Sequence, residues 1–163
     1  MLNLGESKTY NPYSVYVDQI KSDQIKYIEF HNKLKQSLDS TLDFVFSTGP
    51  ADFIKDRISI PLNLNQSQSK EIAKIVMEII VADSYLGNII EQIRQRVIVE
   101  EQKAKIIAGL IVSELFTPIL EELKKKHIDK FAKMAPKQNF KQQIDKVPGG
   151  DDSVIDLRKE FKV

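Results

Sequence analysis

The sequence predicts an all-α protein, built as an elongated helical hairpin or a small helix bundle with extended N- and C-terminal arms. The strongest observation is a run from Leu62 to Thr117 that contains no proline and only two glycines, Gly87 and Gly109. Its isoleucines, valines and leucines recur at the three- and four-residue steps of a helix. A second stripe with the same spacing runs from Val17 to Val45. The two stripes together cover about half of the chain, and the prediction for the whole is all-α.

Composition limits the classes of function. A chain of 163 residues is long enough for one domain with a core of its own. The net charge of +1 argues against binding nucleic acid with the whole surface. The absence of cysteine excludes disulfides, thiolate zinc sites and cysteine nucleophiles. The N-terminus lacks a signal-peptide pattern, and the most apolar stretch, 104–120, is too short and charged to span a bilayer. We therefore expect a soluble protein, cytoplasmic or within a virion.

The first predicted element is a long helix that follows a polar arm at 1–11. Asn11 is a suitable N-cap, and Pro12 suits the first helical position because its missing N–H has no partner there anyway. A heptad-like stripe then predicts one helix of about 35 residues, roughly 50 Å long, of the coiled-coil type. It ends at 47–50, where Gly49 and Pro50 stop a helix. The stripe consists of Val17, Ile20, Gln24, Tyr27, His31, Leu34, Leu38, Thr41 and Val45.

The central elements are a short helix over 50–58 and then the long apolar run. Asn65 with Gln68 forms a capping-box pattern that starts the run. Residues 83–88 are a kink or a turn: a turn gives a helical hairpin, whereas a kink gives one rod of about 50 residues and roughly 75 Å. The β-branched residues from Val97 to Val99 leave an α+β fold with one short strand as the runner-up. Pro118 should kink the end of the run.

These elements divide the chain into three parts. We expect an N-terminal arm at 1–11, a helical domain at 12–135, and a basic linker with a C-terminal docking arm at 136–163. The segment from Val147 to Gly150 is a hinge, because proline and two glycines do not continue a helix.

The sequence carries no catalytic signature. Neither His31 nor His127 has a carboxylate three residues before it, and no zinc, phosphate-loop or dinucleotide motif occurs. Asp39 and Asp43 share a helix face, but a general acid–base pair needs a pocket that separates its two pKa values, and a polar face supplies water instead. Both histidines are better explained as packed or register-setting residues. We therefore expect no enzyme activity, no cofactor and no metal.

A lysine stripe is the candidate nucleic-acid surface. Its spacing could follow a phosphate backbone, with an affinity that falls as salt rises. The stripe contains no arginine, which makes it a poor sequence reader. An ordinary solvated helix face remains the alternative reading. The stripe consists of Lys126, Lys130, Lys133, Lys137 and Lys141.

The C-terminal arm is the candidate protein-docking segment. Its apolar residues follow two aspartates, a pattern that resembles the acidic strand-addition motifs that bind ubiquitin-like modifiers. As a helix, Val154, Leu157 and Phe161 would present one face to a groove. The docking residues are Val154, Ile155, Leu157 and Phe161.

These observations favour a non-enzymatic assembly subunit of a larger complex, such as a viral structural, connector or scaffold-like component. Its helices would pack on copies of itself or on protein partners. The alternative is a nucleic-acid-associated helical factor, a small subunit of a nucleoprotein complex that uses the lysine stripe. No membrane and no small-molecule substrate are expected as partners.

Overall fold

The structure, a computed structural model, describes residues 8–132 and is all-α over that range. Several of its helices continue into short π-helical or 3-10 turns at their ends. The helices are α1 (Pro12–Ile20), α2 (Gln24–Lys35), α3 (Asp39–Phe46), α4 (Gly49–Phe53), α5 (Gln66–Ile80), α6 (Ile89–Ile93), α7 (Glu101–Leu110) and α8 (Leu120–Phe131). The π-helical turns follow α4 (Ile54–Ser59), α6 (Arg94–Ile98) and α7 (Ile111–Leu115), and 3-10 turns precede α6 (Leu86–Asn88) and α8 (Thr117–Ile119). The predicted fold class is confirmed.

Local sequence signals explain where the helices begin. The Asn11 side chain accepts a hydrogen bond from the Ser14 N–H at 3.1 Å, and Pro12 occupies the first turn. The capping box at α5 is complete. Asn65 accepts from the Gln68 N–H at 2.8 Å, and the Gln68 side chain accepts from the Asn65 N–H at 3.0 Å. Both predicted starts are confirmed.

The single long helix predicted over the first stripe is wrong, because the chain breaks twice and forms α1, α2 and α3. The first break is set locally, since Asp23 caps α2 by accepting from the Lys26 N–H at 3.1 Å. The second is set from a distance: Glu122 of α8 accepts from the Leu38 N–H at 2.9 Å and so caps α3. The stripe therefore does not form one continuous coiled-coil seam. Leu38, which a seam would bury, is 62% exposed.

The long apolar run is likewise divided, so the single rod is wrong. The chain turns at 81–85 between α5 and α6, with Ala82 in the left-handed region at φ 56°. It breaks again after Ile98, where Val99 and Glu100 are extended. No strand occurs within 8–132, so the α+β alternative is wrong as well. Pro118 lies in the 3-10 turn before α8, which agrees with the predicted kink at this residue.

Helix α5 forms the centre of the core. Its residues from Ile72 to Ile80 are buried, apart from Lys74 and Glu78, and it packs against α1, α6 and the π-helical turn after α6. This explains why the sequence there is apolar on nearly every side. Five isoleucines of the long apolar run are each no more than 1% exposed, namely Ile79, Ile80, Ile89, Ile107 and Ile111.

Candidate functional site

An aromatic patch joins helices α1, α2 and α3 on one side of the molecule. Its rings form a chain of contacts: Tyr27 lies 4.2 Å from His31, which lies 6.1 Å from Tyr13, which lies 4.9 Å from Phe46, measured between centroids. Two aliphatic residues of α2 extend it by helical spacing, because residue 28 lies one turn before residue 31 and one turn after residue 25. The aromatic patch is defined here as Tyr13, Ile25, Tyr27, Ile28, His31 and Phe46.

Hydrogen bonds fix the rings at the centre of the aromatic patch. His31 Nδ1–H donates to the Tyr27 carbonyl at 2.8 Å, since a carbonyl can only accept. In the neutral ring, Nε2 then accepts from the Tyr13 hydroxyl at 3.1 Å. Phe30, which is 2% exposed, lies under both rings. These contacts within the fold therefore hold the rings of the patch in place.

Several large apolar side chains of the aromatic patch are exposed to solvent. Ile25 is 71% exposed, Phe46 57% and Ile28 50%, while only Phe30 and Leu34 of α2 are buried. The patch includes no lysine, arginine, aspartate or glutamate. Contiguous exposed apolar surface of this kind marks interaction sites, and aromatic residues are enriched at protein interfaces.

The second feature is a cleft between α2, the 36–38 turn, the 81–82 turn and α8, with a volume of about 600 Å³. It is called the lysine cleft here. Leu38 and Val81 provide apolar lining, and charges of both signs surround it. Its charged lining residues are Lys33, Glu121, Glu122, Lys125, Lys126, Asp129 and Lys130.

Two lysines of the predicted stripe direct their ammonium groups inward, to the carboxyl end of α5. Lys126 Nζ donates to the Ile80 carbonyl at 3.2 Å and to the Ser37 hydroxyl at 3.0 Å. Lys130 donates to the Ala82 carbonyl. The last carbonyls of a helix lack partners within it and carry partial negative charge, so cations stabilise them. Burial lowers the pKa of the Lys126 ammonium, and Glu122 partly offsets this.

His127 completes this cap from the buried face of α8. Its Nε2–H donates to the Ile79 carbonyl at 2.8 Å, and its Nδ1 accepts from the Leu86 N–H at 3.2 Å. The side chain is fully buried. Burial, reinforced by the nearby charges of Lys126 and Lys130, lowers the pKa of His127 to about 4. His127 is therefore a neutral structural residue at pH 7, in agreement with the packed role predicted for it.

Asp83 anchors the loop that follows α5. Its carboxylate accepts from the Tyr16 hydroxyl at 2.8 Å and from Lys33, and Lys130 lies 3.8 Å away. Burial and the neighbouring carboxylate raise the pKa of Tyr16. One carboxylate thus faces two ammonium groups at this end of the lysine cleft.

The predicted site residues are only partly covered by the described range. Lys126 and Lys130 lie side by side on α8, as predicted, but both ammonium groups bind backbone carbonyls. Lys133, Lys137 and Lys141 lie outside the described residues, as do Val154, Ile155, Leu157 and Phe161. Sequence reasoning missed the aromatic patch because it assigned Tyr27 and His31 to a coiled-coil seam.

Over residues 8–132, no three histidine or acidic side chains cluster in a way that could hold a metal ion. Within the same range no helix combines the length and apolarity needed to cross a bilayer. Comparison with known proteins finds no matching family model, no matching curated protein and no matching solved structure.

Proposed function

We propose that this chain is a non-enzymatic assembly subunit that associates with a second copy of itself through the aromatic patch. The observation that carries the proposal is the exposure of Ile25, Ile28 and Phe46 around a fixed set of aromatic rings. An interface of this composition gains free energy mainly from removing apolar area from water, about 25 cal/mol per Å². Viral structural, connector and scaffold-like components are examples of such subunits.

A second copy is the partner that the chemistry of the aromatic patch favours. A twofold interface places the same surface of each subunit against the other, so the surface must be complementary to itself. An uncharged apolar patch meets this condition without burying an unpaired charge, which would be costly. A strongly charged partner would find no counter-charge within the patch.

The test compares two serine variants of isoleucines with similar exposure. Ile28 lies in the aromatic patch and is 50% exposed; Ile106, on α7, is 43% exposed and packs with a different set of helices. We expect Ile28→Ser to weaken self-association at least tenfold, measured by light scattering after gel filtration. Ile106→Ser should leave association unchanged. Equal effects of both variants, or none from Ile28→Ser, would overturn the assignment of the patch.

The nucleic-acid alternative has less support. Lys126 already binds the last carbonyl of α5, that of Ile80, and Lys130 binds the Ala82 carbonyl in the turn that follows, so a phosphate would have to compete with these contacts. The alternative predicts a steep fall in duplex DNA affinity with salt, with a slope that flattens when Lys133, Lys137 and Lys141 are replaced by Gln. If the chain is an assembly subunit, we expect weak binding to duplex DNA and no change in the salt slope when these lysines are replaced.

A further inference from the structure

The lysine cleft has the shape and position of a docking site for a short peptide. Leu38, on its rim, is 62% exposed although it carries a large apolar side chain. Lys125, Lys126 and Lys130 line the cleft from α8, and the methylene stems of lysines offer apolar surface to a ligand. A segment that places aliphatic side chains against Leu38 would remove this surface from water.

The charges around the lysine cleft favour an acidic–aliphatic peptide. Lys33 and Lys130 share the single carboxylate of Asp83, and their side chains remain 40% and 42% exposed. Lys125 is exposed beside them. Glu121 and Asp129 also line the cleft, so basic residues of the same peptide would find partners there too. The fitting ligand therefore carries both carboxylates and basic groups next to aliphatic residues.

We propose that the segment 151–159 of this same chain occupies the lysine cleft. Its sequence, Asp-Asp-Ser-Val-Ile-Asp-Leu-Arg-Lys, combines carboxylates, aliphatic residues and a basic pair. Val154 and Leu157 contact Leu38 and the lysine stems. Asp151 and Asp152 face Lys33 and Lys130, and the basic pair at 158–159 faces Glu121, near the start of α8.

The length of the connection allows this contact within one molecule. Helix α8 forms one wall of the lysine cleft and ends at Phe131, one residue after the last lining residue, Lys130. The connection from 133 to 150 spans up to about 60 Å when extended, at roughly 3.3 Å per residue, whereas α8 is only about 18 Å long. A short tether gives an effective concentration in the millimolar range, so even a weak contact is populated.

The test uses the absence of cysteine, because one introduced thiol can then be labelled alone. A nitroxide on the full chain carrying Ser153→Cys should broaden the amide signals of 36–38, 81–82 and 121–130. Signals of 101–106, on α7, should keep their intensity. If the cleft signals keep their intensity too, the proposal is wrong.

Mixing separates docking within a chain from docking between chains. Isotope-labelled chains without nitroxide are mixed with nitroxide-labelled chains that carry no isotope. Our proposal predicts no broadening of cleft signals in the mixture, beyond that of a diamagnetic control. Broadening only in the mixture would mean that the arm docks on a second copy, which contradicts the proposal.

Two pairs of variants identify the contact. Val154→Ser with Leu157→Ser in the labelled chain should abolish the broadening, whereas Lys162→Ser, outside the docking segment, should retain it. In the lysine cleft, Leu38→Ser should abolish the broadening. Ile60→Ser, at an isoleucine with similar exposure outside the cleft, should leave the broadening unchanged. The proposal does not depend on the aromatic patch, so self-association can fail while the docking experiment succeeds, and the reverse.

Discussion

At the scale of single residues, His127 determines how the fold responds to acid. Its pKa in the folded chain is about 4, against about 6.5 when exposed. As the pH falls below about 6.5, His127 becomes protonated in the unfolded chain but stays neutral in the folded chain. The contribution of neutral His127 to the free energy of unfolding is therefore fully present above about pH 6.5 and is lost progressively down to about pH 4.

The expected loss is about 3 kcal/mol of unfolding free energy between pH 7.5 and pH 4. Urea unfolding at a series of pH values measures it. His127→Gln removes the titrating group and keeps one donor and one acceptor, so the variant should lose this part of the pH dependence. Identical pH slopes for the wild type and His127→Gln would contradict the buried neutral histidine.

The second residue-scale prediction concerns Lys126. Lys126→Met keeps the apolar stem but removes the ammonium that binds the Ile80 carbonyl and Ser37. We expect a loss of about 1–3 kcal/mol in unfolding free energy, since a partly buried carbonyl loses its charged donor. Lys125→Met is the matched control because Lys125 is exposed on the same helix. If the two variants have equal stability, the inward cap is not a feature of the folded protein.

At the scale of elements, the end of the π-helical turn after α6 stores backbone strain. Ile98 has a φ of 58°, a conformation that β-branched residues rarely adopt, and its side chain is 81% exposed. The turn is held in place because Gln68 of the α5 capping box donates to the Val97 carbonyl at 3.2 Å. The side chain of Ile98 therefore contributes little packing to offset the cost of its backbone.

Replacing Ile98 with Gly should stabilise the protein by about 1 kcal/mol, since strain of this kind costs about 1–3 kcal/mol and glycine loses more chain entropy on folding. Ile98→Val is the control, because it keeps the β-branch and should change stability little. Thermal unfolding of the three proteins measures the difference. A destabilised Ile98→Gly variant would rule out the left-handed turn.

The helix boundaries differ in how far the sequence alone predicts them. The starts at Asn11 and Asn65 depend on neighbouring residues, so local patterns were enough. The break before α3 depends on Glu122, which lies 84 positions away from Leu38, and no local pattern signals such a cap. The break before α2 did have a signal, Asp23 as an N-cap, but the heptad-like spacing on either side of it concealed that signal.

The same distinction applies to the candidate sites. The spacing of Lys126 and Lys130 was readable, but the direction of their ammonium groups depends on where the carboxyl end of α5 lies. The aromatic patch combines residues from three helices, and Tyr13 meets Phe46 only because the chain turns twice between them. Neither arrangement is encoded within a single helix.

At the scale of the whole molecule, stability depends on the core around α5. Ile79 and Ile89 are fully buried on helices that flank the 81–85 turn. Truncating either residue to Ala should lower the free energy of unfolding by about 2–5 kcal/mol, because a cavity replaces packed methyl groups. Chemical unfolding of the two variants measures this loss. Near-neutral effects at both positions would contradict the packing of α5 against α6.

Association of the full chain through the aromatic patch can be measured in solution. Sedimentation equilibrium should be measured over a wide range of protein concentration at neutral pH. Association through the aromatic patch predicts an average mass that rises with concentration from one chain toward two. A mass that stays at one chain throughout would contradict the proposal that this protein assembles through its exposed aromatic patch.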